Sequence, residues 1–342
     1  MNSYKKEWER VIVNGVCMNG CLPMDASAQV VQDRLVESAV SIEFQWEHKS
    51  SMPVIKWDRD FDKWLNERTE VADGMAENNQ CLLPWRILEC LPEEKKTSDR
   101  LYWSQGPQDS CMSHSNTFAY QCSTLIEMAF GAPLKYHSFN PIVPYYLCRG
   151  GSMVGGRTVS EMADWTNRYG QYPEDWVGTD NQSVPDYKPF EKQALEYQNG
   201  LVFIEKDDAE DIAEAMIRGC HAGLAFSYGN SHAISGVKYD KNGVKVAVLG
   251  GRWAHATSIS SWRKVGKTEY VFWQNSHGPQ YDQSDEGEPA DGAWMDYDTL
   301  CRFVRSIPDY GYPYAHFIEG EITNEKQFNP LFTVPFPANW ER

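Results

Sequence analysis

The spacing of apolar residues changes from a helical to a strand-like period part-way along the chain. Between residues 111 and 130 the apolar side chains fall on one helical face: Phe118, Cys122, Leu125, Ile126 and Ala129. Asp109 and Ser110 precede this segment as N-cap candidates. Two shorter helices are predicted at about 159–169 and 208–218, because each apolar pattern ends at a glycine.

From residue 224 onward the period is that of β-strands. Short apolar runs lie between turn residues, at 224–228, 244–249, 255–260 and 269–273. Gly250-Gly251 is among the predicted turns, the acidic stretch 280–292 is a predicted loop, and 332–337 is a predicted extended tail. Helices followed by antiparallel strands predict an α+β fold.

The composition excludes several classes of partner. The chain has 342 residues and 42% hydrophobic content, which suffices for a core. Asp and Glu outnumber Lys and Arg by 48 to 32, giving a net charge of -16. Because this charge repels phosphate backbones and anionic lipids, neither nucleic acid nor a membrane is a predicted partner. We find no signal peptide and no run of about 18 apolar residues, which predicts a cytoplasmic location.

The nine cysteines are an odd number and widely spaced, which is typical of a reduced protein with at least one free thiol. Cys17 with Cys21, and Cys111 with His114, have the spacing of metal half-sites. No second pair follows at a zinc-ligand spacing, so no metal is predicted.

Cys111 is the strongest candidate for a nucleophile. It is predicted to lie in the first turn of a helix, where unpaired N–H groups favour a thiolate. His255 opens one predicted strand and Asn275 closes the next, so a hairpin would bring them together. The Asn oxygen would then accept the imidazole N–H and orient the ring towards the sulfur. His232 also precedes an alanine and is an alternative base.

These residues resemble the motifs of the papain-like cysteine peptidases. His255 follows Cys111 by 144 positions, within the roughly 130–150 typical of that family, and the Asn lies 20 further on. The matching pieces are Gln105-Gly106, Ser110-Cys111, Phe118-Ala119, Gly155-Gly156, His255-Ala256 and Asn275-Ser276 with Gly278. The resemblance covers about residues 100–320.

The resemblance implies a two-lobed fold. Residues 96–205 would form a helical lobe that carries the cysteine, and 206–320 an antiparallel β lobe that carries the His and Asn. Residues 1–95 would be an N-terminal extension and 321–342 an extended C-terminal tail.

The resemblance also implies a peptidase that acts through an acyl-enzyme on a peptide or protein substrate and needs no cofactor. Gln105 would donate to the oxyanion, together with the backbone N–H of Cys111. Gly155 and Gly156 would bind the substrate backbone, and Gly150-Gly151 offers a competing register.

The chain departs from the family pattern at three positions. Gln108 replaces a cysteine, Met112 replaces an aromatic residue, and His277 replaces the tryptophan that shields the His–Asn hydrogen bond. These departures leave open a catalytically inactive, virion-associated scaffold, whose extension and tail bind assembly partners in a particle such as a virus. A further alternative keeps the acyl chemistry and changes the substrate to a cell-wall amide or an isopeptide.

Overall fold

The computed structural model describes residues 12–13, 16–17, 54–56, 59–77, 82–102, 104–180, 183–198, 200–205, 208–278, 288–304 and 313–317. The predicted tail, residues 280–287 and most of the first fifty residues lie outside these ranges. Strands β1 (Ile12–Val13) and β2 (Val16–Cys17) pair antiparallel and belong to one unit. The described residues from Val54 onward belong to a second unit.

The helices of the second unit lie both before and after the predicted strands. They are α1 (Arg59–Glu77), α2 (Pro84–Cys90), α3 (Cys111–Ala129), α4 (Ile142–Cys148), α5 (Val159–Tyr169), α6 (Glu174–Val177), α7 (Ala209–His221) and α8 (Tyr297–Val304). No helix in the described part of the chain combines the length and hydrophobicity that a bilayer span needs.

Seven of the described strands form one sheet. They are β3 (Val54–Lys56), β4 (Gly200–Phe203), β5 (Ala225–Tyr239), β6 (Lys245–Val265), β7 (Thr268–Gln274), β8 (Gly292–Asp296) and β9 (Tyr314–Phe317). Their order across the sheet is β3-β4-β9-β5-β6-β7-β8. Adjacent strands in this order pair antiparallel except β3 and β4, which are parallel. The predicted α+β fold is confirmed.

Helices cover both faces of this sheet, as alternate side chains on β7 show. Tyr270 and Phe272 belong to one apolar cluster with α2 and α3, whereas Val271 and Trp273 belong to another with α7 and α8. Successive side chains on a strand point to opposite faces, so the two clusters lie on opposite sides of the sheet. The helix that begins at Cys111 therefore packs together with α2 on one face of the sheet.

Helix α3 buries polar side chains along most of its length, and several of them bind the sheet. The Ser115 hydroxyl donates to the carbonyl oxygen of Thr257 on β6 (2.5 Å), and the Ser258 hydroxyl donates to the Ser115 carbonyl (2.8 Å). Further along, the Ser123 hydroxyl donates to the His316 carbonyl on β9 (2.8 Å). Because a buried polar group is costly without a partner, these bonds fix the helix in one position.

The turn predicted at Gly250-Gly251 is wrong. Both glycines lie inside the single strand β6, which joins the two strands predicted at 244–249 and 255–260. A Cβ atom on Gly250 would lie 2.9 Å from the Cβ of Ser235 on β5. The glycine therefore permits close approach of two strands rather than a chain reversal.

The predicted helix boundaries are correct at α3 and α5 and wrong at the end of α7. Gly170 follows α5 with φ +77, a left-handed conformation that favours glycine at a helix end. Helix α7 instead continues through Gly219 to His221, because Gly219 and Cys220 are buried in its packing face. Tertiary packing there outweighs the low helix propensity of glycine.

We expect Ser115→Ala and Ser123→Ala each to lower the free energy of unfolding by about 1–3 kcal/mol, because each removes a buried hydroxyl–carbonyl bond. Ser235→Ala is the matched control, since its hydroxyl donates to the Val248 carbonyl (3.1 Å) at an exposed position. It should change stability by less than about 0.5 kcal/mol. Urea denaturation followed by circular dichroism measures all three. Wild-type stability in Ser115→Ala would contradict this account.

Candidate active site

Cys111 is the first residue of α3, at the helix end that faces β6. Ser110 occupies the N-cap position, although its hydroxyl makes no capping bond. The Cys111 side chain is partly exposed and packs against Met112 and Ala256. Burial of the sulfur raises the pKa of Cys111, and hydrogen bonds from the backbone at Ala256 and Met112 oppose this rise. The sulfur is therefore within hydrogen-bond reach of the residue that follows His255.

The structure brings His255 and Asn275 together as the hairpin prediction requires. Strands β6 and β7 pair antiparallel with Ser258 opposite Gln274, so the segment that follows β7 runs alongside His255. His255 Nε2 and Asn275 Oδ1 are 2.6 Å apart, and both side chains are buried. Burial lowers the pKa of His255 to about 4, while the bond to Asn275 works in the opposite direction.

This hydrogen bond fixes where the imidazole proton sits. The amide oxygen of Asn275 can only accept, so Nε2 of His255 carries the proton and Nδ1 is the basic nitrogen. The raised pKa of Cys111 and the lowered pKa of His255 both favour neutral forms in the unliganded protein. Burial therefore favours a neutral thiol at Cys111 and a neutral imidazole at His255.

Gln105 is buried, and both the oxygen and the nitrogen of its side-chain amide form hydrogen bonds. Its backbone N–H donates to the carbonyl of Ser276 (2.6 Å), and the Ser276 hydroxyl donates to Gln105 Oε1 (2.5 Å). Gln105 Nε2 donates to the Gln108 carbonyl (2.7 Å). An amide nitrogen has two N–H donors, so this bond uses one of them. The segment after β7 thus orients both Asn275 and Gln105.

Gly155 and Gly156 lie in a loop whose carbonyl groups are already bonded. The Tyr145 hydroxyl donates to the Gly155 carbonyl (2.9 Å), and the Arg149 guanidinium donates to the Gly156 carbonyl (3.1 Å). Tyr145 also packs in the cluster that Cys111 contacts, which links this loop to the site. Substrate binding by these glycines stays a prediction.

The competing Gly150-Gly151 pair closes the C-terminal end of α4. The N–H groups of Gly150 and Gly151 donate to the carbonyls of Leu147 and Tyr146, and both glycines have positive φ. This is the hydrogen-bond pattern of a helix C-cap. Termination of helix α4 therefore explains why glycines occur at positions 150 and 151.

Two rings cover His255, and the sequence analysis identified neither as a cover. The His277 ring lies 4.5 Å from the His255 ring with an interplanar angle of 24°, and Trp253 lies 4.7 Å away at 8°. His277, which differs from the shielding tryptophan of the motif that the sequence resembles, also presents a ring to His255. Trp253 precedes His255 by two residues on β6, where side chains share one face of a strand. That spacing is a signal that could have identified it.

His232 does not join this site, whereas His114 lies close enough to His255 to act on it: burial is the main cause that lowers the pKa of His255, and the charges of His277 and His114 add to it. His232 lies on β5 opposite Arg252, and Asn275 bonds to His255 instead. His114 is buried with Nδ1 at 3.0 Å from the Ser110 carbonyl. Within the described residues, no group of three or more His, Cys, Asp or Glu side chains is arranged to hold a metal ion.

A cysteine at the start of a buried helix, against strands that carry a His–Asn pair, is the papain-like arrangement that the sequence predicts. Solved structures similar to this chain are cysteine proteases of that class. Xylellain from Xylella fastidiosa is 14% identical with a TM-score of 0.42, over 66% of this chain and 85% of that chain. Bromelain from Ananas comosus is 11% identical with a TM-score of 0.40, over 64% and 93%.

A third similar structure is procathepsin L 3 from the larval midgut of Tenebrio molitor, at 12% identity and a TM-score of 0.41 over 63% of this chain and 66% of that one. No protein-family model matches the sequence, and no curated protein matches it.

We expect acid to destabilise the protein through its buried histidines. Burial lowers the pKa of His114 from 6.5 to about 4, so the folded state keeps this ring neutral. Between these two values the unfolded chain binds a proton that the folded chain does not, and the free energy of unfolding falls with falling pH. The full shift corresponds to on the order of 3 kcal/mol.

His114→Gln tests this contribution, because it removes the His114 ring together with its charge on the neighbouring His255. Urea denaturation of wild type and variant at pH 7.5 and pH 5 measures the difference. We expect the difference in free energy of unfolding between wild type and His114→Gln to be smaller at pH 5 than at pH 7.5. A gap that does not change with pH would exclude His114 as a source of acid sensitivity.

Proposed function

We propose that the protein is a cysteine peptidase that hydrolyses peptide or related amide bonds. The observation that carries this proposal is the 2.6 Å bond between His255 Nε2 and Asn275 Oδ1, next to a cysteine that begins a buried helix. The bond leaves Nδ1 of His255 as the base, and Ala256 places the backbone of the same strand at the Cys111 sulfur.

In the proposed mechanism, the Cys111 sulfur attacks the substrate carbonyl while His255 Nδ1 takes the thiol proton. The resulting oxyanion accepts hydrogen bonds from Gln105 Nε2 and the backbone N–H of Cys111. His255 then gives its proton to the leaving amine, which departs and leaves a thioester. A water molecule, deprotonated by His255, hydrolyses that thioester and restores the thiol. Asn275 holds the ring through both half-reactions.

One observation favours the alternative of an inactive scaffold. The raised pKa of Cys111 and the lowered pKa of His255 oppose a resting thiolate–imidazolium pair, which is the most reactive form of such a site. In that alternative the buried residues maintain the fold, and the protein acts by binding partners in an assembly. Reactivity of Cys111 at neutral pH separates the two functions.

We expect iodoacetamide at pH 7 to modify Cys111 roughly tenfold faster than Cys90, because in the proposed mechanism His255 takes the Cys111 proton as the sulfur attacks, which offsets the raised pKa of the thiol. Cys90 is an exposed thiol on α2 and serves as an internal control in the same sample. His255→Gln should abolish the difference, whereas His232→Gln should leave it intact. Peptide mapping by mass spectrometry gives the rate at each cysteine.

Circular dichroism of both histidine variants establishes that they are folded before the rates are compared. Equal modification of Cys111 and Cys90 in the wild type would favour the scaffold alternative and reject the peptidase. Loss of the rate difference in His232→Gln as well would reject His255 as the base.

A further inference from the structure

Asp291 lies behind Asn275, and the proposed mechanism does not use it. The residue is fully buried just before β8 and has φ +76, a left-handed conformation that L residues seldom adopt. Its Oδ1 accepts a hydrogen bond from Asn275 Nδ2 (3.4 Å), and its backbone carbonyl accepts the Asn275 N–H (3.0 Å). Backbone strain at a buried polar residue is typical of functional sites.

The second carboxyl oxygen of Asp291 binds a residue that follows Asn275 and a residue that precedes α3. Oδ2 accepts the backbone N–H of His277 (2.8 Å) and the hydroxyl of Tyr102 (3.2 Å). The Tyr102 oxygen in turn accepts the backbone N–H of Gly278 (2.7 Å). One carboxylate therefore collects donors from Asn275, from His277 and from the segment that precedes α3.

We propose that Asp291 is a positioning residue, whose carboxylate accepts the Asn275 amide N–H and thereby fixes the Asn275 oxygen towards His255. The proposal rests on the proposed function, in which Asn275 sets the tautomer of His255. An Asn side chain has nearly the same shape after a flip that exchanges its oxygen and nitrogen. Packing alone therefore does not decide which atom faces the imidazole.

The carboxylate of Asp291 determines which atom of the Asn275 amide faces the imidazole. A carboxylate only accepts hydrogen bonds, so a flipped Asn275 would place its oxygen against another acceptor in a buried site. The unflipped amide presents Oδ1 to His255 and requires the proton on Nε2. Asp291 thus acts on the base through one intermediate side chain and has no contact with the substrate.

The protonation of Asp291 matters near neutral pH. Burial raises the pKa of its carboxyl from 3.8 to about 7, and the hydrogen bonds from His277, Tyr102 and Asn275 oppose this rise. The titratable groups that face it are Tyr102 before α3 and His277 after β7, with His255 on β6 behind Asn275. A protonated Asp291 can donate, and it no longer discriminates between the two orientations of Asn275.

Asp291→Asn tests the proposal with little change of shape. The new amide nitrogen at position 291 faces either the N–H donor of Asn275 or the donors of His277 and Tyr102. In either orientation, one set of hydrogen bonds is replaced by two donors that face each other. Asn tolerates the left-handed conformation that Ala would not, so the backbone is preserved. Asp291→Gly, which also tolerates positive φ, removes the carboxylate altogether.

Asp240→Asn is the matched control. Asp240 lies in the turn between β5 and β6, where it accepts the Tyr270 hydroxyl (2.5 Å) and the backbone N–H of Val244 (2.9 Å). It therefore makes the same types of bond as Asp291 without any bond to the site. A loss of stability common to both Asn variants is a structural effect.

The experiment measures iodoacetamide modification of Cys111 and Cys90 from pH 5.5 to 9 in wild type and the three variants. At pH 8.5 we expect modification of Cys111 to slow by roughly tenfold or more in Asp291→Asn and Asp291→Gly, and to change less than about twofold in Asp240→Asn. The ratio of the wild-type rate to the Asp291→Gly rate should rise with pH through about 7.

Nitrogen-15 NMR of selectively labelled histidines gives a second measurement, which does not change in a variant that has only lost stability. The His255 signal, assigned by its loss in His255→Gln, should show the Nε2–H tautomer in wild type and Asp240→Asn, and a mixture in Asp291→Asn. Unchanged Cys111 rates and an unchanged tautomer in folded Asp291→Asn would overturn this inference. Equal wild-type rates at Cys111 and Cys90 would reject the proposed function instead, which the same samples report separately.

Discussion

The hydroxyl of Ser115 and its bond to β6 determine how the helix meets the sheet. Ser115 lies one helical turn after Cys111, and its partner Thr257 lies two residues after His255. The returning bond from Ser258 to the Ser115 carbonyl leaves little freedom for the helix to slide or rotate. Because these groups are buried, water does not compete for them, and the register of helix against strand places the sulfur at Ala256.

Four consecutive residues after β7 organise the other side of the site. Asn275 holds the imidazole, Ser276 holds Gln105, His277 covers His255, and Gly278 binds the Tyr102 hydroxyl. A short bent segment can do this because its side chains and backbone groups point in different directions. Asp291 ties the segment to the start of β8, so the two lie in fixed positions relative to each other.

Burial of the candidate site keeps the proton on the Cys111 sulfur. Burial acts on both partners in the same sense, towards neutral thiol and neutral imidazole. The rings of Trp253 and His277 add to this by occupying space beside the imidazole that water would otherwise fill. In the proposed mechanism, negative charge develops on the substrate oxygen, and fixed donors stabilise such a charge most effectively in a dry site.

The amino-acid sequence by itself determined the elements whose pattern is local. The apolar face of α3, the glycine that ends α5 and the apolar run of β7 depend on residues close in the chain, so the pattern predicts them. The spacing from Cys111 to His255 and Asn275 likewise identified the pair that the structure joins by a hydrogen bond.

Only the tertiary structure decided the role of residues whose partners are distant in the chain. Gly250 fits a turn pattern, yet it lies inside β6 because Ser235 packs against it. Asp291 lies in an acidic stretch that predicts a loop, and its burial follows from Asn275, His277 and Tyr102, the last of them 189 positions away. A carboxylate in a sequence is usually a solvated surface charge, and it is buried only where the fold provides hydrogen-bond donors. A local sequence pattern does not show which distant residues those donors are.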